Sequence, residues 1–373
     1  MNYKIALIKG DGIGPEISRE AVKVLNEIEK IYNHKFDINE IAGAGEAIDK
    51  YGDPLPKDSL DICISSDAVL IGNIGGSKWN NMPLHQKPVK AILKIRKALN
   101  LTSNLRPITL NSNLKTFSPL KDNIISKGID ILVVRDLAGS VICGEKKSCK
   151  GEFGREASDL EYYNEEIIKK SAIKSFDAAQ NRRNLVSSID KSNVLASSML
   201  WKDIINETSK EYKNVKVKHH LVDSAAMEVI LNPEKFDVIV TTNMFGDILA
   251  DELSQITGTA CMLPSAELDE KGKGIFTPNQ LHHPDESIIG KDKANPIGLI
   301  SSVAMMLRYS FNLMEEANLL ERAIDKTIGL GYRTEDIYSR GTKLVGTQIM
   351  GDMICSSIRE LVKEDLERIN RAI

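Results

Sequence analysis

Residues 236–254, FDVIVTTNMFGDILADELS, form the most informative segment of this chain. Its first part, residues 236–241, is a β-branched apolar run that is too short for a helix, so it predicts a buried strand. Residues 242–246 predict a turn, and the apolar spacing of residues 247–255 then predicts a helix. A strand that leads through a short turn into a helix is the repeating unit of an α/β protein.

Two carboxylates lie at the start of this predicted helix. Asp247 and Asp251 are four residues apart, so they project from one face. The carboxyl ends of strands are where open α/β sheets bind ligands, and Mg²⁺ prefers carboxylate oxygens. The alternative is that acids in a first helical turn only interact favourably with the helix dipole. On these residues alone, the dipole interpretation is the stronger one.

The same alternation of strands and helices runs through most of the chain, which predicts an α/β fold with layered helices. The predicted strands cover residues 3–8, 68–71, 129–134, 185–189 and 215–221, and the predicted helices cover residues 15–32, 165–180, 197–212, 296–313, 324–329 and 351–370. Residues 143–163, CGEKKSCKGEFGREASDLEYY, interrupt the pattern with charge and glycine. They predict a segment that protrudes from the core.

Length and composition narrow the class of protein. A chain of 373 residues favours roughly two domains. A net charge of −3 without a basic block gives no reason to expect nucleic acid as a partner. The five cysteines are scattered without a close pair, which favours a reducing compartment. We find no secretory signal and no apolar run long enough to cross a bilayer, so we expect a cytoplasmic protein and no membrane partner.

A glycine-rich segment follows the first predicted strand. Its glycines, Gly10, Gly12 and Gly14, do not have the spacing of the dinucleotide-binding GxGxxG motif. The segment therefore favours a tight turn into a helix over a Rossmann-type cofactor loop.

Several basic residues near strand ends are candidates for substrate contacts. Arg96, Arg106 and Arg135 offer planar forks that suit the carboxylates of a small di-acid, although each one singly is typical of a surface residue. Lys191 follows the predicted strand 185–189 and is a candidate general base. An exposed lysine in a turn is the alternative.

Taken together, these segments resemble the isocitrate/isopropylmalate family of metal-dependent β-decarboxylating dehydrogenases. The resemblance runs nearly from end to end, and motifs in the same order are more specific than any single one. It rests on IKGDGIGPEI (8–17), GGSKWNNMPLHQKP (75–88), IRKALNLTSNLRP (95–107), ILVVRDLAG (131–139), SIDKSNVL (188–195), HLVDSAAM (220–227), VTTNMFGDILADELSQITGT (240–259), MLPSAEL (262–268), KANPI (293–297) and GDM (351–353).

The resemblance implies an α/β, two-domain fold of the isopropylmalate dehydrogenase type, distinct from Rossmann. The first domain, on the cofactor side, would comprise residues 1–101 and 258–373. The second, with the dimer, metal and substrate sites, would comprise residues 102–257 and carry an arm near 143–163.

The implied reaction is oxidative decarboxylation of 3-isopropylmalate to 4-methyl-2-oxopentanoate in leucine biosynthesis, with NAD⁺ and Mg²⁺ or Mn²⁺. The implied catalytic residues are Lys191 and Asp223, which reach the site from the partner subunit of a homodimer. The implied substrate contacts are Arg96, Arg106, Arg135 and Asp223, the metal ligands Asp223, Asp247 and Asp251, and the cofactor contacts Gly76, Val89, Leu281, Asp285 and Asn295.

The chain also departs from the family pattern. Ile142 stands where the family has a tyrosine that acts as general acid. Val89 replaces a glutamate that faces the nicotinamide ribose, and Leu281 replaces a glycine in the adenosine-binding loop. Asp285 remains for the ribose hydroxyls and favours NAD⁺. Two alternatives stay open: an impaired or inactive paralogue that binds a metal–malate complex, and a dehydrogenase for another malate-like substrate.

Overall fold

The computed structural model describes residues 1–279, 281 and 286–372. The chain divides into two compact units. The first unit comprises residues 1–100, 259–267 and 271–373, and the second comprises residues 101–258 and 268–270.

Strands and helices alternate along the chain, as the sequence predicts. The strands are β1 (Asn2–Gly10), β2 (Lys35–Glu40), β3 (Ala68–Asn73), β4 (Ser103–Thr109), β5 (Asp130–Asp136), β6 (Lys146–Gly151), β7 (Gly154–Asp159), β8 (Leu185–Asp190), β9 (Lys216–Leu221), β10 (Val238–Thr241), β11 (Pro264–Leu268), β12 (Gly274–Pro278), β13 (Tyr332–Arg333) and β14 (Lys343–Leu344).

The helices range from single turns to one of 26 residues. They are α1 (Gly14–Tyr32), α2 (Ala44–Tyr51), α3 (Lys57–Ser65), α4 (Lys90–Ala98), α5 (Asp122–Ile125), α6 (Ser140–Cys143), α7 (Glu165–Gln180), α8 (Ala196–Ser209), α9 (Val222–Leu231), α10 (Asn243–Ile256), α11 (Ile297–Tyr309), α12 (Met314–Gly329) and α13 (Thr347–Ala372). No described helix is both long and apolar enough to cross a bilayer.

In the first unit, the strands are ordered β2-β1-β3-β12-β11. β1 pairs in parallel with both β2 and β3, and every residue of β3 is buried. A strand buried on both faces reads as a continuous apolar run, which is why the sequence reveals it. The glycine-rich segment forms the expected turn: a Cβ at Gly10 would lie 1.9 Å from the carbonyl oxygen of Asn73. Only glycine permits this close approach, and the turn leads directly into α1.

In the second unit, the order is β4-β5-β10-β8-β9. β4 and β5 are antiparallel, whereas β5, β10, β8 and β9 are mutually parallel. The parallel strands end at the same edge, so the residues that follow β5, β8 and β10 share that edge. Residues 143–163 contain an antiparallel hairpin of β6 and β7, whose residues are nearly all exposed.

The start of α10 differs from the sequence prediction. The helix begins at Asn243, four residues before the predicted start at Asp247. Gly246 suggested a turn, but it lies inside the helix, where a Cβ would come within 2.8 Å of the Arg135 side chain. The glycine is therefore explained by close packing of the helix against β5. Since α10 has no acid in its first turn, the dipole interpretation of Asp247 is wrong.

Candidate active site

Two arginines and two aspartates meet at one edge of the second unit. Arg106 lies on β4, Arg135 lies on β5, and Asp247 and Asp251 lie on α10. Nη1 of Arg106 donates to Oδ1 of Asp251 at 2.8 Å, and its Nη2 lies 3.7 Å from Asp247. Arg135 pairs with the same Asp247 carboxylate. The structure thus brings together four of the predicted substrate and metal residues, which we call the arginine–aspartate cluster.

The members of the cluster differ in burial. Arg135 is only 6% exposed, whereas the side chain of Asp251 is 70% exposed. The two guanidinium groups offset the repulsion between the two carboxylates and keep them close together. The cluster therefore presents carboxylate oxygens to solvent above a buried, fixed guanidinium.

Lys191 and Asp223 form a second pair in the same unit. Lys191 follows β8, and Asp223 lies in the first turn of α9. Nζ of Lys191 donates to Oδ1 of Asp223 at 2.7 Å. This hydrogen bond lowers the pKa of Asp223. The lysine and the acid are therefore coupled within one chain.

The three predicted metal ligands do not form one cluster within a single chain. Over residues 1–279, 281 and 286–372, no three His, Cys, Asp or Glu side chains are grouped as a metal site requires. Asp247 and Asp251 alone supply hard oxygen donors, which fit Mg²⁺ or Mn²⁺ because these ions take one or two carboxylates and complete their shell with substrate and water.

Arg96 makes a contact that the sequence did not predict. This residue of the first unit donates from Nε and Nη2 to the two carboxylate oxygens of Glu267, at 2.8 and 2.6 Å. The pair is bidentate and mostly buried, with side-chain exposures of 20% and 14%. An internal carboxylate therefore engages the fork that we expected to bind substrate.

A cavity of about 310 Å³ lies in the first unit beside the loop after β3. Gly75, Gly76, Ser77 and Glu286 are among the residues that line it. The carboxylate of Glu286 accepts hydrogen bonds from the backbone N–H and the hydroxyl of Ser77, at 2.6 and 3.0 Å. The volume of this cavity is at the low end of the range for small-molecule sites. Gly76, one of the predicted cofactor contacts, therefore lines this cavity.

The other predicted cofactor residues have mixed surroundings. Asn295 is held within the protein: its Nδ2 donates to Asp336 at 2.9 Å, and its Oδ1 accepts from the backbone of Ile297. The carbonyl oxygen of Leu281 accepts from the N–H of Ile74 at 3.0 Å. Val89 directly precedes α4 and is half-buried. Asp285 lies outside the described residues.

Ile142 lies in the one-turn helix α6 and is 38% exposed. Its side chain has no ionisable group, so it cannot deliver a proton from this position.

The family model described as isocitrate/isopropylmalate dehydrogenase matches residues 4–354. The chain belongs to the isocitrate/isopropylmalate dehydrogenase family. It is therefore an oxidoreductase of the β-decarboxylating dehydrogenase class.

Relatives in this family are similar over nearly their whole length. A 3-isopropylmalate dehydrogenase of Clostridium acetobutylicum is 47% identical over 95% of this chain and 99% of its own length. The corresponding protein of Aquifex aeolicus is 45% identical, with coverages of 96% and 98%. Among solved structures, an isocitrate dehydrogenase of Methylococcus capsulatus matches with a TM-score of 0.82 and 26% identity, over 96% of this chain and 99% of that one.

The sequence did not predict three residues that contact predicted site residues or the loop beside the cavity. Glu267 engages Arg96. Asp11, which is buried in the first unit, accepts backbone N–H groups from Gly45, Glu46 and Gly75 and so anchors the loop beside the cavity. Asn243 was assigned to a turn, but its Oδ1 accepts from Nε of Arg135 at 2.9 Å. An aspartate inside a glycine-rich turn was the available signal for Asp11; the other two contacts have no local signal.

Proposed function

We propose that this enzyme oxidises and decarboxylates 3-isopropylmalate to 4-methyl-2-oxopentanoate with NAD⁺ and Mg²⁺ or Mn²⁺, as a step of leucine biosynthesis in the cytoplasm. The observation that carries the proposal is the arginine–aspartate cluster, because it combines the two groups that a chelated hydroxy di-acid requires. Relatives at 45–47% identity carry the name 3-isopropylmalate dehydrogenase, which supports the choice of substrate.

The arginines are proposed to bind the substrate carboxylates. Arg135 is buried and held by Asn243 and Asp247, so its guanidinium is pre-oriented, which lowers the entropic cost of binding. Arg106 shares the same edge. Arg96 is proposed as a third contact, and its bidentate pair with Glu267 means that a substrate carboxylate must compete with an internal one.

Asp247 and Asp251 are proposed to hold the metal together with Asp223, which would come from the partner subunit. A bound divalent ion supplies Lewis-acid polarisation of the substrate oxygens. Lys191 is proposed to take the proton of the substrate hydroxyl as a catalytic base, and Asp223 supports it through the hydrogen bond between them.

The substituent on the malate is proposed to contact α4. Ile92 on this helix is buried, whereas Leu93 is 37% exposed and therefore accessible. An apolar side chain here suits an isopropyl group better than a third carboxylate, because burying a charge without a partner is unfavourable. This contact favours isopropylmalate over isocitrate.

NAD⁺ is proposed as the hydride acceptor, and the cavity beside Gly76 is its proposed site. The backbone at Gly75 has φ +92°, a left-handed conformation that favours glycine. Val89, Leu281, Asp285 and Asn295 remain proposed contacts. A cofactor that reaches the loop would meet Ser77 and Glu286 at the cavity wall.

A homodimer is proposed because α9 and α10 expose apolar side chains. Met227 and Leu231 on α9 are 61% and 59% exposed, and Ile248 on α10 is 62% exposed. Exposed apolar groups on neighbouring helices are typical of an interface. The same helices carry Asp223, Asp247 and Asp251, so association of two copies through them would bring acids of both chains close together.

The test is an assay of the purified protein with Mn²⁺, NAD⁺ and 3-isopropylmalate that follows NADH and CO₂ together. Equal amounts of both products would support the proposal. Faster turnover of isocitrate would favour a different malate-like substrate. Calorimetric binding of 3-isopropylmalate without any NADH would instead favour a paralogue that binds the metal–malate complex.

A further inference from the structure

A buried chain of polar groups lies beneath the arginine–aspartate cluster. Tyr163 is 6% exposed, and its hydroxyl oxygen accepts from the backbone N–H of Asn243 at 2.9 Å. Asp136, which is fully buried directly after Arg135, accepts from the N–H of Gly139 at 2.7 Å. The tyrosine hydroxyl therefore holds the first residue of α10.

The direction of this hydrogen bond follows from its donor. Asn243 is the first residue of α10, so its backbone N–H has no partner within the helix and can only donate. Burial also raises the pKa of Tyr163, so the phenol stays neutral. Its oxygen therefore accepts from Asn243.

Asn243 links Tyr163 to the arginine–aspartate cluster. Its Oδ1 accepts from Nε of Arg135 at 2.9 Å, and its Nδ2 donates to the carbonyl oxygen of Gly139 at 3.2 Å. The carboxamide thus holds the guanidinium on one side and Gly139, which directly precedes α6, on the other. Movement at Tyr163 would shift both.

The tyrosine ring has little room to move. A Cβ at Gly139 would lie 2.3 Å from a ring atom of Tyr163. On another side, Trp201 meets the ring edge to face, with centroids 5.6 Å apart. Such packing holds the hydroxyl in one position, as preorganised sites require.

We propose that Tyr163 is a positioning residue of this enzyme, which through Asn243 orients Arg135 and the first turn of α10 to bind the substrate carboxylate. The inference rests on the proposed function of Arg135 as a substrate contact. Tyr163 itself is not proposed to touch a reacting atom. It acts by holding Arg135 and the first turn of α10 in place.

The test compares Tyr163→Phe with the wild type. The variant keeps the ring but leaves the buried N–H of Asn243 without its acceptor, so 3-isopropylmalate in the presence of Mn²⁺ should bind about tenfold more weakly by calorimetry. The KM for 3-isopropylmalate should rise by a similar factor, whereas the KM for NAD⁺ should not change. Tyr212→Phe is the matched control, because the Tyr212 hydroxyl donates to Asp177 at 2.9 Å elsewhere in the unit.

A double-mutant cycle identifies the route. If Tyr163 acts through Arg135, adding Tyr163→Phe to Arg135→Lys should weaken binding little further. Fully additive losses, or a Tyr163→Phe variant that melts earlier but binds the substrate like the wild type, would overturn the inference and leave the proposed function intact. A wild type that neither binds nor oxidises 3-isopropylmalate would refute the proposed function, and the inference with it.

Discussion

The arginine–aspartate cluster predicts that Asp247→Asn and Asp251→Asn differ in the free energy of unfolding when no metal is present. Both variants should lose a similar part of the stabilisation that Mn²⁺ gives the wild type. In the absence of metal, Asp247→Asn removes the carboxylate that pairs with Arg135, whose side chain is 8% exposed. The loss of a charged hydrogen bond to a buried group should lower the free energy of unfolding by about 1–3 kcal/mol. The Asp251 side chain is 70% exposed, so Asp251→Asn should cost at most about 1 kcal/mol.

Mn²⁺ should leave this ranking of the two variants unchanged and lower both relative to the wild type. At a Mn²⁺ concentration of about 100 times Kd, a ligand that binds only the folded state stabilises it by about 2.7 kcal/mol. Each variant replaces one anionic oxygen donor with a neutral amide, so each should lose most of this gain. The gap between the two variants should therefore persist with Mn²⁺, while both fall further below the wild type.

Urea unfolding with and without Mn²⁺ measures both effects. Asp365→Asn is a suitable control, since Asp365 also pairs with a partly exposed arginine, Arg322, at 2.9 Å in the first unit. The control should lose little stability and keep the full gain from Mn²⁺. If Mn²⁺ stabilised Asp251→Asn as much as the wild type, Asp251 would not be a metal ligand.

Three further predictions concern the substitution at Ile142, the carboxylate that pairs with Arg96, and the proposed interface. Ile142→Tyr should raise the rate of keto-acid formation by up to about 10²-fold, because it restores a group able to deliver a proton; an unchanged steady-state rate would contradict this. Glu267→Gln should lower the KM for 3-isopropylmalate about threefold, because it removes the carboxylate that competes with substrate for its arginine; a raised KM would show that Glu267 positions that arginine instead. Ile248→Asp should shift the protein toward monomer in analytical ultracentrifugation, because it places a charge on an apolar helix face; an unchanged mass would count against this interface.

The sequence predicts the interior of the fold better than its edges. β3 and β5 are visible because strands buried on both faces are continuous apolar runs. β2, with the sequence KFDINE, is mainly polar and has no such signal. The predicted start of α10 is wrong because the glycine at 246 allows close packing against the Arg135 side chain and does not mark a turn. Close packing depends on tertiary structure, which local sequence propensity does not reveal.

The candidate site follows a similar rule. Asp247 and Asp251 can be paired from the sequence because a helix brings residues four apart together. The contact between Tyr163 and Asn243 joins residues 80 positions apart, and that between Arg96 and Glu267 joins residues 171 apart. No local periodicity in the sequence indicates either contact. Such contacts also decide how an arginine is held, since Arg135 contacts both an amide and a carboxylate while Arg96 forms a bidentate pair with a single carboxylate.

The surroundings of Ile142 bear on which step of the reaction the substitution affects. The neighbouring Gly139 is held by both Asp136 and Asn243, so the loop keeps a defined place beside Arg135 although the side chain at 142 donates no proton. Under the proposed function, binding and hydride transfer would depend on the arginines and Lys191, which are present, whereas protonation after loss of CO₂ would need a donor. The expected defect is therefore late in the reaction: NADH should form in an initial burst, and slow release of the protonated keto acid should then limit the steady state. A linear time course from the first turnover would show that another group, or water, delivers this proton fast enough.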